Sequence, residues 1–397
     1  MDARSRDAAV APLPSQVQTA RRRLMLRDGL KFLTLTLVAL LMSGVTTLLF
    51  RSFEAHREEL AVRWAERGQQ ALAAGKPDQA VTALRTSLGF RSDVRENQLA
   101  LAHALAASGR VDEAENYFVN LWQMQPGDGG INLELARLAR QQGKSFNAIE
   151  YYRAAIFGTW SGDGPARRRD IRLELSSYLV ELGQSKAARA ELLIAAGNNP
   201  DASSQLRIGE ALEAAGAPKE AATAYRNASE DKVFAATAQA KLGELCYAQG
   251  DYQCSAEELT QALRKPSWTA EQKLRMSTMQ QNAERLQALM LSHDVASPLR
   301  AEHLLEAAQI AVTRVNGCLE RHAGQADMLQ LQVQWKALDT AKNRAALRHD
   351  DDVQDQYRTA IFNTERTAAA ICGAPAGDDA LLLYLADHPA KQFGGQP

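Results

Sequence analysis

Cys318 and His322 stand four residues apart in a stretch of helical periodicity, so one helix face would present a thiolate and an imidazole, two of the donors that zinc takes. No third or fourth ligand follows at metal-site spacing, and the other histidines are scattered. A bridged cysteine and a surface histidine are the simpler reading. The run His349, Asp350, Asp351, Asp352 would attract a divalent cation, yet the same acids suit the first turn of a helix, where they meet the positive end of its dipole. Nucleophilic or phosphate chemistry has no better footing, because no Walker loop, GxSxG, HExxH, CxxC or CxxCH occurs. The chain is therefore read as a non-enzyme with no catalytic residue, no metal and no cofactor. A metal- or thiol-dependent enzyme is the outlying alternative.

The four cysteines, Cys246, Cys254, Cys318 and Cys372, are too few for a disulfide scaffold but could close two bridges in an oxidising compartment. Cys246 and Cys254 lie four residues before and after Gly250, and Cys318 with Cys372 would join two long helices. The alternative is four reduced, buried thiols acting as small apolar groups. The compartment decides between them.

The elements that fix the compartment come first in the chain. Phe32 to Phe50 reads FLTLTLVALLMSGVTTLLF without a charge, which as a helix reaches about 28 Å and spans a hydrocarbon core. Seven basic residues precede it against Asp2, Asp7 and Asp28, an excess that keeps the N-terminus cytoplasmic and sends everything after Arg51 across. A cleaved signal peptide would have a shorter polar leader and a small-residue cleavage site. A core helix would keep a polar stripe, and this run shows only Thr and Ser. The first twenty residues, with Pro12, Pro14 and scattered charge, read as a disordered cytoplasmic tail.

The remainder is helical by composition. Of 397 residues, 46% are hydrophobic and only 6% aromatic, with 12 prolines and 25 glycines, which excludes wholesale disorder and disfavours a many-stranded sandwich. The net charge of -1 supplies no uniform field for nucleic acid, so no nucleic-acid partner is expected.

The strongest signal is a repeat. Gly75, Gly109, Gly143, Gly183, Gly216 and Gly250 follow one another at nearly constant intervals, with one longer step between Gly143 and Gly183. Seven residues before them stand Gly68, Ala102, Ala136, Ser176, Gly209 and Gly243, and five after them Ala80, Ala114, Ala148, Ala188, Ala221 and Ser255. Small residues at both places predict close crossing of an antiparallel helix pair joined at the glycine. Nine residues past each glycine come Leu84, Phe118, Tyr152, Leu192, Tyr225 and Leu259, suited to the space between neighbouring hairpins. The longer step marks an insertion around Thr159 to Pro165.

This pattern resembles the tetratricopeptide repeat (TPR) family, whose spacing is carried closely by Leu101 to Pro126 and by Lys241 to Pro266. The resemblance covers about residues 60 to 266. Trp64 sits where the family often has tryptophan, most units lack it, and Ser255 replaces the usual alanine. It implies an all-α, right-handed TPR-type solenoid of about six hairpins that binds an extended peptide or a partner helix along its concave face. In the family, the positions six and three before the glycine line that groove. Carried across, these are Gln69 and Leu72, His103 and Ala106, Arg137 and Arg140, Ser177 and Val180, Glu210 and Glu213, Glu244 and Tyr247. The groove is expected to be basic in its middle and acidic toward its C-terminal end. The alternative is a set of solvated helix faces. The paired Lys and Asn with which some members clamp a terminal carboxylate are not present.

After Pro266 the glycine register stops. Thr269 with Gln272 predicts a capping box for a helix to about Ser292, and Ser297 with Pro298 starts another to about His322. Further periodicity covers Met328 to Leu347 and Asp351 to Cys372, and GAPAG then precedes DALLLYLAD. The expected organisation is a basic tail (1–31), a transmembrane helix (32–50), a solenoid (51–266) and a C-terminal helical domain (267–397). The layout resembles bacterial inner-membrane TPR proteins of envelope assembly and secretion, which implies a periplasmic scaffold or chaperone; a structural subunit of a fixed membrane complex is the alternative.

Overall fold

The structure, a computed structural model, describes residues 15–197, 200–265, 268–291 and 295–388. Pro266, Ser292 and residues 1–14 of the expected tail lie outside them. The described residues are helical, with one isolated backbone bridge between Asp128 and Thr159. The chain divides into two compact units, 1–164 and 165–397.

The first unit contains α1 (Ser15–Ala73), α2 (Pro77–Phe90), α3 (Arg95–Ala107), α4 (Val111–Met124), α5 (Gly129–Gln141) and α6 (Ser145–Phe157), each packed against the next. α1 corrects two expectations. Residues 15–20 are helix rather than disordered tail, and the helix that carries the apolar stretch does not stop with it at Phe50 but runs on through Arg51 to Ala73 in the first hairpin. Of the described helices, α1 alone is long and apolar enough to cross a membrane, and its apolar window is wholly uncovered by the rest of the chain. The second unit contains α7 (Gly164–Glu181), α8 (Ser185–Ala196), α9 (Ala202–Ala214), α10 (Pro218–Ser229), α11 (Ala235–Gln249) and α12 (Tyr252–Leu263). It continues through α13 (Ala270–Ala288), α14 (Ser297–Arg321), α15 (Ala326–Leu338), α16 (Ala341–Ala346), α17 (Asp351–Cys372) and α18 (Asp378–Asp387).

Local chemistry sets the hairpin turns. All six register glycines have φ between +68° and +83°, a region that costs an L side chain strain and glycine nothing. The residue after each glycine donates its N–H back five residues, as Arg110 does to Leu105 at 2.9 Å and Asp251 to Cys246 at 2.9 Å, closing a Schellman turn. Within each unit these turns stack helix pairs, so the all-α hairpin-solenoid class expected from the register is the architecture observed.

The small and large register positions prove to be partners. A Cβ added to Gly209 would meet the Tyr225 ring at 2.4 Å, one at Gly68 would meet Leu84 at 2.5 Å, and one at Gly243 would meet Leu259 at 2.7 Å. The large residue therefore packs on the small residue of its own hairpin, which corrects its expected place between hairpins. Gly209→Leu should lower stability by about 1–3 kcal/mol, because overpacking outweighs the helix-propensity gain. Unfolding followed by circular dichroism checks this, and a midpoint equal to wild type would show that Tyr225 yields freely.

The insertion folds back onto the preceding turn. Trp160 packs over Gly129 and donates Nε1–H to the Ala155 carbonyl at 2.9 Å, while Thr159 N–H reaches the Gly127 carbonyl at 2.8 Å. In the C-terminal part the Thr269–Gln272 capping box is present. Ser297 lies one residue inside α14 rather than at its cap, and the expected helix from Met328 to Leu347 breaks at Asp339 into α15 and α16. The hydrophobic core of α13 to α18 includes Tyr252 and Ala256 of α12, so the last hairpin and the C-terminal helices share one apolar interior.

Candidate functional site

The expected groove residues divide between the two units. In the first, Gln69 on α1 is exposed, and His103 on α3 lies 3.9 Å from the Glu134 carboxylate of α5. The His103 ring also packs edge-on against Phe118, with centroids 5.3 Å apart. Arg137 pairs with Glu134 at 3.0 Å, so the basic centre carries an acid of its own that the −6 and −3 positions do not reveal. Arg140 lies one turn further along the same helix.

In the second unit the expected acidic residues are engaged within the chain. Lys241 reaches Glu210 at 3.1 Å and Arg275 reaches Glu244 at 2.6 Å, each cation coming from the next hairpin's first helix. Arg207 makes the corresponding contact with Asp170 at 2.7 Å. Arg207, Lys241 and Arg275 recur at the interval of the repeat itself, so the period held the signal for this ladder. Exposed pairs of this kind contribute about 0–1 kcal/mol each. Their larger effect is to cancel the acidic field expected at this end.

Glu213 accepts a hydrogen bond from the Tyr225 hydroxyl, and burial together with that carboxylate pushes the phenol pKa upward. Tyr247 packs against Tyr252 and against Tyr384 of α18, with centroids 5.7 and 5.9 Å apart, and burial raises its pKa as well. A C-terminal helix thus covers the last expected groove position. Ser177 and Val180 lie on α7.

The donor clusters weighed for chemistry resolve differently. Cys318 faces Cys372 rather than His322, and His322 is the exposed C-terminal cap of α14. Both cysteine pairs have Cα atoms 5.8 Å apart, the spacing of a bridge. Asp350 caps α17, accepting the N–H groups of Asp352 at 3.0 Å and Val353 at 3.3 Å, as a helix start requires. One group of three potential metal donors occurs among the described residues, Cys246, Asp251 and Cys254, with ligand atoms within 4.8 Å of one another. Its two sulfurs are mutual neighbours, and Asp251 is the α12 cap, accepting the Cys254 N–H at 3.0 Å.

The geometry defines a class, a binding scaffold of stacked helical hairpins. Sequence comparison agrees with it: the Tetratricopeptide repeat profile matches residues 99–163, 173–232 and 218–270, so these segments are tetratricopeptide repeats. No curated protein matches the chain. Among solved structures it is similar to PilF of Pseudomonas aeruginosa, with 16% identity and a TM-score of 0.38, covering 56% of this chain and 99% of that one. It is also similar to PilW, a type IV pilus biogenesis factor, with 15% identity and a TM-score of 0.39, covering 54% and 98%. YrrB, a TPR protein with an unusual peptide-binding site, gives 16% identity and a TM-score of 0.37, covering 50% and 100%. These likenesses concern the hairpin fold alone.

Proposed function

We propose that the chain is a single-pass membrane scaffold, N-terminus cytoplasmic, whose hairpins hold a protein or extended peptide on the periplasmic side during envelope protein assembly, secretion or chaperoning. Tetratricopeptide repeats serve as protein-interaction scaffolds, and that much follows from the family. The observation that carries the membrane reading is the uncovered apolar stretch of α1 continuing as helix into the first hairpin. In this reading 1–31, 32–50, 51–266 and 267–397 are tail, anchor, solenoid and C-terminal domain, and both cysteine pairs are bridged in an oxidising exterior.

Two experiments test it. Protease added to spheroplasts should degrade the bulk of the chain, and a protected chain would remove the topology. The Arg137→Glu, Arg140→Glu double variant should bind acidic peptides about threefold to tenfold more weakly, since each exposed charge contact is worth up to about 1 kcal/mol. Equal affinity would remove the groove.

A second reading, a fixed subunit of a membrane complex, is favoured by α1 itself, which offers no flexible linker between anchor and first hairpin. Stoichiometric copurification with other subunits in mild detergent would establish it over the adaptor reading.

A further inference from the structure

The second unit holds a cleft that the repeat groove does not explain. Residues of α14, α15, α16 and α17 line a half-open cavity of about 580 Å³. Its floor is apolar and aromatic: Trp335, Tyr357 and Val315 are buried there, with Ala308 beside them. The Trp335 and Tyr357 rings meet edge to face with centroids 6.1 Å apart. Trp335 donates Nε1–H to Thr364 Oγ1 at 3.0 Å, and the Tyr357 hydroxyl donates to the Leu338 carbonyl at 2.9 Å. Both rings are satisfied and fixed, so the floor is already shaped.

The walls are two helical stripes. On α14, Leu305, Gln309, Val312 and Asn316 recur at helical spacing and make a wall about 16 Å long, three turns. On α15, Gln332, Trp335 and Lys336 line the cleft at the same periodicity, and Leu305 on α14 is 40% exposed.

Charge selects the occupant. Three charged side chains line the cleft: Lys336, Asp339 and Arg344. Arg344 donates to both oxygens of Asp339, at 2.6 and 2.8 Å, and that pair cancels. Lys336 is exposed and has no ion-pair partner among the described residues. Gln332 Nε2–H reaches Asn316 Oδ1 at 3.2 Å across the cleft, leaving the Asn316 amide hydrogens for an incoming acceptor.

We infer that the α14–α15 cleft is a second docking site, one that receives an amphipathic partner helix of about three turns carrying an apolar stripe and an acidic residue opposite Lys336. The partner's apolar side chains fill the space over Trp335 and Val312, and its carboxylate pairs with Lys336 and Asn316. The mode is helix-in-groove, with the charge fixing register and orientation. This site is independent of the repeat groove.

The probe is a fluorescein-labelled helical peptide of about four turns with leucines on one stripe and one flanking Glu, beside a twin with Lys in place of that Glu. Both are titrated by anisotropy against the full chain in nanodiscs. The Glu peptide should bind in the micromolar range and its twin about tenfold more weakly. Lys336→Glu should invert that preference, and Leu305→Glu should weaken both peptides at least tenfold. The inverted preference also demonstrates a folded cleft. Binding that ignores both substitutions, as uptake into the bilayer would, overturns the inference. So does a dimer of the wild type that Leu305→Glu dissociates, since a second copy would then occupy the cleft.

Discussion

Raising the pH from 5 to 9 should destabilise the helices around Glu365 by a few kcal/mol, and Glu365→Gln should remove most of that dependence. Glu365 is fully buried on α17, and neither carboxylate oxygen has a hydrogen-bond partner. Burial first, and then the neighbouring Asp379 carboxylate, pushes its pKa up to about 8 against the opposing pull of Arg314. A folded-state pKa above the unfolded value means that the native state prefers the protonated acid. Its full stability is present below about pH 4.5 and is lost progressively until about pH 8. A shift of this size corresponds to about 3–5 kcal/mol. Asp379, also raised by burial, adds in the same direction. Asp378 acts oppositely: two hydrogen bonds from Arg285, at 3.0 and 2.7 Å, lower its pKa, so its contribution is lost only in acid below the ordinary carboxylate range. Urea denaturation of the full chain at pH 5, 7 and 9 follows the Glu365 window, across which the Asp378 contribution is constant. A wild-type curve as stable at pH 9 as at pH 5 would show that the Glu365 carboxylate finds solvent or a partner.

Removing the Cys318–Cys372 link should cost about 4 kcal/mol, because a bridge closing a 54-residue loop withholds that much entropy from the unfolded chain. Cys318 is fully buried in α14 and Cys372 ends α17, so the bridge would clamp the two helices that support both the cleft floor and Glu365. The Cys246–Cys254 pair closes only eight residues and should contribute less, about 2.5 kcal/mol. Urea curves with and without a phosphine reductant, on the wild type and on the Cys318→Ala, Cys372→Ala double variant, give the comparison. Wild-type curves unaffected by reductant and matching the double variant would mean that the sulfurs remain thiols.

The repeat was legible in the sequence because its causes are local. A positive φ needs glycine, a close helix crossing needs a small residue, and a Schellman turn needs no partner beyond its own helix, so each hairpin wrote the same signs at the same spacing. The groove's electrostatics were hidden behind single-repeat positions: Glu210 and Glu244 look like an open acidic end until Lys241 and Arg275, one hairpin further on, are set against them. Tyr247 reads as a groove residue until α18, near the far end of the chain, brings Tyr384 over it. Glu365 sits in NTERT, a stretch that any surface helix could carry, and only the packing of α14, α17 and α18 strips water from it. Sequence alone determined which segments pair as hairpins, because backbone conformation and close contact are settled within a single repeat. Tertiary structure alone decided which charges remain available to a partner, because desolvation and ion pairing depend on groups that distant helices bring within a few ångströms.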